Sequence, residues 1–208
     1  MSESKQPRLV LASRNAKKIG ELQDLLTPHG IVVEGIDTVP GVGEIVEDGD
    51  SFAANAAIKA VTVATTGTCW ALGEDSGLCV DALSGEPGIY SARYAGTHGD
   101  DAANNRKLIE SLEGVADDRR GAGYKCAIAV ADPTGEVVLT SEGECRGRIV
   151  PDPRGTGGFG YDPHFLVREY HRTFGELPPV VKRAISHRAR AMRQLLPSLR
   201  AALTNAPN

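Results

Sequence analysis

The stretch "RLVLASRNAKKIGELQDLL", residues 8–26, decides how the rest of the chain is read. Its apolar run Leu9-Val10-Leu11 predicts a first strand over 8–13, ending in the polar elbow Ser13-Arg14-Asn15. A helix follows over 15–27, with Ile19, Leu22, Leu25 and Leu26 on one apolar face. Asn15 is placed to cap that helix, and Gly30 lies just beyond its end. A helix start after a strand presents unpaired backbone N–H groups and the positive end of the helix dipole, so it favours anions. Asn15 and Lys18, three apart, share one side of the first turn. The same residues also suit an ordinary cap followed by solvated lysines. The elbow carries no Walker A pattern, which disfavours a P-loop kinase or ATPase.

Outward from that stretch, the pattern is of alternating strands and helices with a hairpin in the middle. "IVVEGI" (31–36) reads as a second strand, followed by the Gly- and acid-rich loop "PGVGEIVEDGD". Ser51 caps an Ala-rich helix, "FAANAAIKAVTVATTG". "CWALGED" and "LCVDAL" read as two short strands joined around Asp75-Ser76-Gly77. A helix is expected around 100–113, and a long hairpin over 122–132 and 136–150, turned by Asp132-Pro133-Thr134-Gly135. After "PDPRGTGGFGYDP" comes a short strand, "HFLVRE". The tail from Val180 is helical, with Pro197 expected to end or kink it. This order predicts an α/β chain with a mixed sheet and helices packed on it. At 208 residues, one domain of two lobes spanning 1–208 is expected, with residues 1–7 and 205–208 as disordered tails.

Composition narrows the class. A net charge of −4 gives no basis for binding nucleic acid or an anionic membrane, so an anionic ligand needs a local cluster of cations. No apolar run reaches the ~20 residues of a membrane span. "MSESKQPR" lacks the apolar stretch of a signal peptide. The four cysteines, Cys69, Cys79, Cys126 and Cys145, have no CxxC spacing and read as buried free thiols, which points to a cytoplasmic protein. The histidines lack zinc spacing.

Five further features could carry chemistry. Glu47 and Asp48 precede the Ala-rich helix, and Glu74-Asp75 lie within an apolar context that makes acids costly without a reason. Such acids are a common way to present oxygens to Mg²⁺, which takes one or two carboxylates and keeps waters, or they could form an exposed acidic turn. Asn55 and Lys59, spaced i, i+4, could face the same place or form a solvated stripe. "GTGGFG" (155–160) formally matches GxGxxG, but a hairpin precedes it and no helix follows, so the dinucleotide reading fails. Phe159 could instead offer a flat face to a base, or be a buried loop residue. In "KRAISHRARA", Ser186 could cap the last helix and leave His187 and Arg188 as neighbouring donors, or the segment could be a solvated basic face.

Taken together, "LASRNAKKIGEL", "VEDGDSFAANAAIKA", "GEDSGLCVDALSGEPGIYSARYAG", "GTGGFGYDPHF" and "KRAISHRARA" resemble the inosine/xanthosine triphosphate pyrophosphatase family, in family order across residues 11–191. One departure is Glu74, where many bacterial members have aspartate. The resemblance implies a mixed twisted β-sheet with flanking helices, two lobes around a long central cleft, and a homodimer. It implies Mg²⁺-dependent hydrolysis of ITP, dITP and XTP to the monophosphate and pyrophosphate. Ser13, Arg14, Asn15, Ala16, Lys17 and Lys18 would cradle the triphosphate, with Lys59, Ser76 and Lys182 also on substrate. Phe159, Gly160, Tyr161, Asp162, His187 and Arg188 would surround the base. Glu47 and Asp75 would hold the metal, with Glu74 a third candidate, and Asp75 would be the catalytic residue. A septum-inhibitor-type pyrophosphatase, a simple phosphatase and a nucleotide-binding regulator without catalysis remain as alternatives.

Overall fold

A computed structural model describes residues 6–204; the expectation of disordered tails falls mainly on residues outside this range. At the start of the described chain, the Pro7 carbonyl accepts from Val32 N at 3.0 Å. Seven strands form one sheet in the order β2-β1-β3-β4-β5-β6-β7. β1 (Arg8–Leu11) runs parallel to β2 (Val32–Gly35) and to β3 (Ala71–Val80). β4 (Gly121–Ala131) and β5 (Val137–Ile149) are the hairpin expected from the sequence, closed by the 132–136 turn. β6 (Phe165–Val167) is antiparallel to β5 and to β7 (Arg172–Thr173). The helices are α1 (Ala16–Leu26), α2 (Phe52–Gly67), α3 (Asp101–Ser111), α4 (Pro179–Ile185) and α5 (His187–Thr204). The sheet is therefore mixed, parallel on one side and antiparallel on the other, as the alternation of elements requires.

The chain divides into two compact units. One comprises residues 1–75, 127–142 and 191–208; the other comprises 76–126 and 143–190. Each has its own apolar core. The first packs Ala56, Ala60, Val63 and Ala64 of α2 with Val10, Ala71, Ala127 and Ala129 of the strands. The second is bulkier, built on Leu78, Leu108, Leu112, Tyr124, Phe165 and Phe174. The small residues of the first core let a helix lie close on the sheet. Gly73 is the extreme case: a Cβ there would sit 2.7 Å from Ala60 N and 3.0 Å from Ala56 C, inside the α2 backbone.

Two sequence expectations fail. The segment around Asp75-Ser76-Gly77 is no turn; β3 runs unbroken through it, because the charges that suggest solvent are met inside the fold by cations of other elements. Pro197 neither ends nor breaks α5, which continues to Thr204. Pro197 and Arg193, four residues back, both lie on the exposed side, while Leu195, Leu199 and Leu203 keep the helix seated. The carbonyl that loses its helical donor is thus on the wet face, where the loss is cheapest.

Candidate functional site

The sequence-derived residues gather into two clusters, one in each unit. In the first, α2 and β3 supply the central pieces. Lys59, one turn beyond Asn55, spends its three N–H donors on Glu47 Oε2 at 2.6 Å, Asp75 Oδ1 at 3.1 Å and the Glu74 carbonyl at 3.2 Å. Lys18 Nζ lies 3.5 Å from Glu74 Oε1. Glu74 and Asp75 are 3% and 7% exposed, so these cations are what make their burial tolerable. Close approach at Gly73 brings α2 within reach of the β3 acids.

Of the two readings the sequence leaves open for Asn55 and Lys59, the structure has both facing the acids, and Asn55 proves to be a tie. Its Nδ2 donates to Asp75 Oδ2 at 3.1 Å, and its Oδ1 accepts from Gly49 N at 2.9 Å. One side chain thereby fastens the acidic 47–49 loop to the β3 carboxylate. Asp75 is held on both oxygens, by Lys59 on one and by Asn55 on the other.

The elbow behaves as a cap in this structure. Asn15 Oδ1 accepts from Lys17 N at 3.0 Å and Lys18 N at 3.2 Å, and Asn15 N donates to Ser13 Oγ at 3.1 Å. Two first-turn amides that could face an anion are thus already occupied. Arg14 turns to Asp37 Oδ1 at 3.2 Å and to the Val42 carbonyl at 3.2 Å. Ala16, at the first helical position, and Lys17 are exposed. Among the cradle residues, Lys18 brings its side chain to the Glu74 carboxylate.

The donor set suits a hard divalent cation. Glu47 and Asp75 already converge on a single ammonium, and two carboxylates with retained waters is the coordination Mg²⁺ commonly takes. Among the described residues no group of three or more His, Cys, Asp or Glu side chains forms a ready-made metal cage.

The second cluster is aromatic. Asp162, 2% exposed, accepts on Oδ2 from Phe159 N at 2.8 Å and from Lys182 Nζ at 2.6 Å. Lys182 Nζ also lies 4.5 Å from the centre of the Phe159 ring, a cation–π contact. Gly158, at φ +75°, permits this tight loop: a Cβ there would run into the Asp162 carboxylate. Tyr161 is buried, and its hydroxyl donates to the Ser91 carbonyl at 2.8 Å, so its phenol is a structural tether. Burial pushes that phenol well above its usual pKa. Ser76, half-buried, belongs to this unit and follows Asp75 along β3.

Ser186 does cap α5: its Oγ accepts from Ala189 N at 3.2 Å, which puts His187 and Arg188 in the first turn. Both are buried, Arg188 at 1% exposure, so the reading as a solvated basic face is excluded. The His187 ring stacks on Tyr124 with centroids 4.9 Å apart and planes 10° from parallel. Sequence reasoning misses Tyr124, which reads there as one more strand aromatic. Burial, and then the neighbouring Asp162 charge, hold its phenol far above the ordinary range. It therefore stays neutral and links the ring of His187 to the acid of the loop.

Known proteins resemble this chain over nearly its whole described length. The Ham1 family profile matches residues 9–198. A dITP/XTP pyrophosphatase of Rhodopirellula baltica is 53% identical over 191 residues, covering 92% of each chain. One from Desulforamulus reducens is 50% identical over 189 residues, covering 91% of this chain and 94% of its own. Among solved structures, a HAM1 protein from Coxiella burnetii superposes with a TM-score of 0.85 at 40% identity, covering 94% of this chain and 99% of its own. A dITP/XTP pyrophosphatase from Mycobacterium abscessus gives 0.75 at 44% identity, covering 92% and 99%. The chain belongs to the Ham1 family.

Proposed function

We propose that this chain hydrolyses non-standard purine nucleoside triphosphates, dITP, XTP and ITP, to the monophosphate and pyrophosphate, removing them from the nucleotide pool. The observation that carries the reading is the ion network in which Lys59 pairs with Glu47 and Asp75 and Lys18 with Glu74, tied by Asn55. Buried acids neutralised by lysines beside a basic helix start are suited to phosphoanhydride chemistry, and relatives about half identical to this chain carry that activity in their names.

Taken by itself, each cluster suits a different chemical group: the first suits phosphates, the second a base. At the phosphate end, Asp75 is the catalytic residue. Its two oxygens are fixed by Lys59 and Asn55, and a carboxylate has lone pairs to spare for orienting a water. Mg²⁺ held by Glu47 and Asp75 would neutralise phosphate charge and make that water a better nucleophile. Lys59, paired with Glu47 and Asp75, would also offer its ammonium to phosphate oxygens. Lys18 and the residues from Ser13 to Lys17 would take up charge developing on pyrophosphate. An arriving phosphate competes with Asn15 Oδ1 for the Lys17 and Lys18 amides, so Asn15 is the cap that substrate displaces or shares.

At the base end, His187 and Arg188 are donors, which suit the 6-oxo group of hypoxanthine and xanthine. Adenine offers an amino group there and would strand a buried donor, a mismatch that can reach ~10⁴-fold in discrimination. Phe159 supplies a flat face, and Lys182 and Asp162 hold it in place. No nucleic-acid partner is expected from the net charge of −4, and among the described residues no helix is long and apolar enough to cross a membrane. A homodimeric, cytoplasmic enzyme completes the proposal.

The test is turnover of XTP, dITP, ITP, GTP and ATP with and without Mg²⁺, with pyrophosphate and orthophosphate assayed separately. Pyrophosphate from the first three, lost without metal, is the expected result. Orthophosphate as primary product would indicate a simple phosphatase. Nucleotide binding without turnover would indicate a regulator.

A further inference from the structure

Gly160, the residue after Phe159, is gripped on both of its backbone groups by one helix. Its N–H donates to Asp101 Oδ2 at 2.8 Å, and its carbonyl accepts from Asn105 Nδ2 at 2.9 Å. Asp101 and Asn105 are four apart, so they project from one side of α3. The helix making the grip is itself anchored. Asp100 caps it through Ala103 N at 2.9 Å, and Asn104 ties it to the preceding segment through Ala95 N at 2.7 Å and the Ala92 carbonyl at 3.3 Å.

Asn105 carries a second signal. Its Oδ1 is buried and has no hydrogen-bond partner among the described residues. An orphan amide oxygen is costly, so an apolar residue would serve the packing of α3 better. What the amide contributes is the donor to Gly160. Its orientation is also settled, because the flipped amide would set oxygen against the Gly160 carbonyl.

We infer that Asp101 and Asn105 are positioning residues for the purine: they fix the Gly160 peptide and so hold the Phe159 ring ready for a base. Phe159 is then restrained on both sides, by Asp162 at its own N–H and by α3 at the next residue. A ring ordered before the ligand arrives does not have to be ordered by it, which favours binding without adding a contact. The inference rests on the base-binding role proposed for Phe159. It goes further in predicting that the clamp acts on affinity for every purine alike, leaving the chemical step and the choice among bases untouched.

The experiment compares four variants with the wild type. Asn105→Asp is nearly isosteric but removes the donor; Asp101→Ala removes the acceptor; Asp101→Asn keeps an acceptor without the charge; Asn105→Ala is the plain truncation. Steady-state kinetics on XTP and dITP are paired with xanthosine binding and with amide exchange of Gly160 followed by NMR. Loss of one such hydrogen bond is expected to raise KM about 3- to 10-fold for both substrates, with kcat within about twofold. Gly160 exchange should quicken in the same variants, and Asp101→Asn should recover most of what Asp101→Ala loses. Faster exchange with unchanged KM and unchanged xanthosine affinity would overturn the inference. So would a fall in kcat at constant KM, or an Asp101→Asn variant as impaired as Asp101→Ala. Failure of the wild type to turn over XTP would count against the proposed function alone; amide exchange and xanthosine affinity would still decide the clamp.

Discussion

The cluster around Asp75 and the cluster around Phe159 are ordered by different means. In the first, charge answers charge: three acids and two lysines satisfy one another in a part of the fold where the packing residues are mostly alanine and valine. In the second, rings stack on rings, and Asp162 serves as a hub for a lysine, a backbone amide and a nearby tyrosine. An ion network can exchange partners at modest cost when a charged ligand or a metal arrives. A stacked aromatic set cannot, and is suited to presenting one fixed shape. The first kind of order suits groups that change during a reaction, as phosphates do; the second suits a group that does not, such as a base.

The largest effect should come from the ion network. Asp75→Asn keeps the shape but removes a charge and an acceptor, and is expected to lower kcat on XTP by about 10²–10⁴-fold, the range typical of general acid–base groups. Xanthosine binding, which the proposal assigns to the other cluster, should be unchanged. Equal loss of xanthosine binding would mean the two clusters are not separable in this way.

Gly73→Ala attacks the same cluster through packing. The new methyl meets the α2 backbone, which cannot rotate aside as a side chain would. Stability should fall by about 1–3 kcal/mol, read from denaturant midpoints, and kcat should fall as Lys59 is pushed from Asp75. Phe159→Leu attacks the other cluster. It should raise KM roughly tenfold on all purine substrates with little change in kcat, in keeping with the worth of a base–aromatic stack.

The smallest effect lies away from both. Asp81 pairs with Arg146 at the surface, and that hydrogen bond and charge lower its pKa. A carboxylate with a lowered folded-state pKa stabilises the fold above its unfolded pKa, near 4, and loses that stabilisation as pH falls through the folded value. Asp81→Asn should therefore cost at most about 0.5 kcal/mol at neutral pH, since both partners are about half exposed, and nothing at strongly acid pH. Thermal melts at pH 7 and pH 2.5 check the sign.

Much of this is legible in the chain. The helix starts at Asn15 and Ser51 follow from their caps and periodicity, and the β4–β5 hairpin from its Asp-Pro-Thr-Gly turn, because those signals are local. Asp75-Ser76-Gly77 reads wrongly as a turn for the same reason: local chemistry suggests a bend, whereas a lysine 16 residues away supplies the neutralising charge. Asn55 reads equally well as facing the acids or as half of a solvated stripe, because its partners, Gly49 and Asp75, lie on other elements. Asp101 and Asn105 give no signal, since their partner is more than fifty residues later in a loop. The resemblance brings the two clusters into one account; the hydrogen bonds that hold each side chain in place are visible only in the folded chain.

The most direct check of the chemistry assigned to Asp75 is hydrolysis of XTP in ¹⁸O-enriched water, with the products analysed by mass spectrometry. Water directed at the α-phosphorus leaves one ¹⁸O in the monophosphate and none in pyrophosphate, which is the expected result. Label in pyrophosphate would place the attack on the β-phosphorus, and label in released orthophosphate would place it on the γ-phosphorus. The first would contradict attack at the α-phosphorus, and the second would contradict cleavage between the α- and β-phosphates altogether.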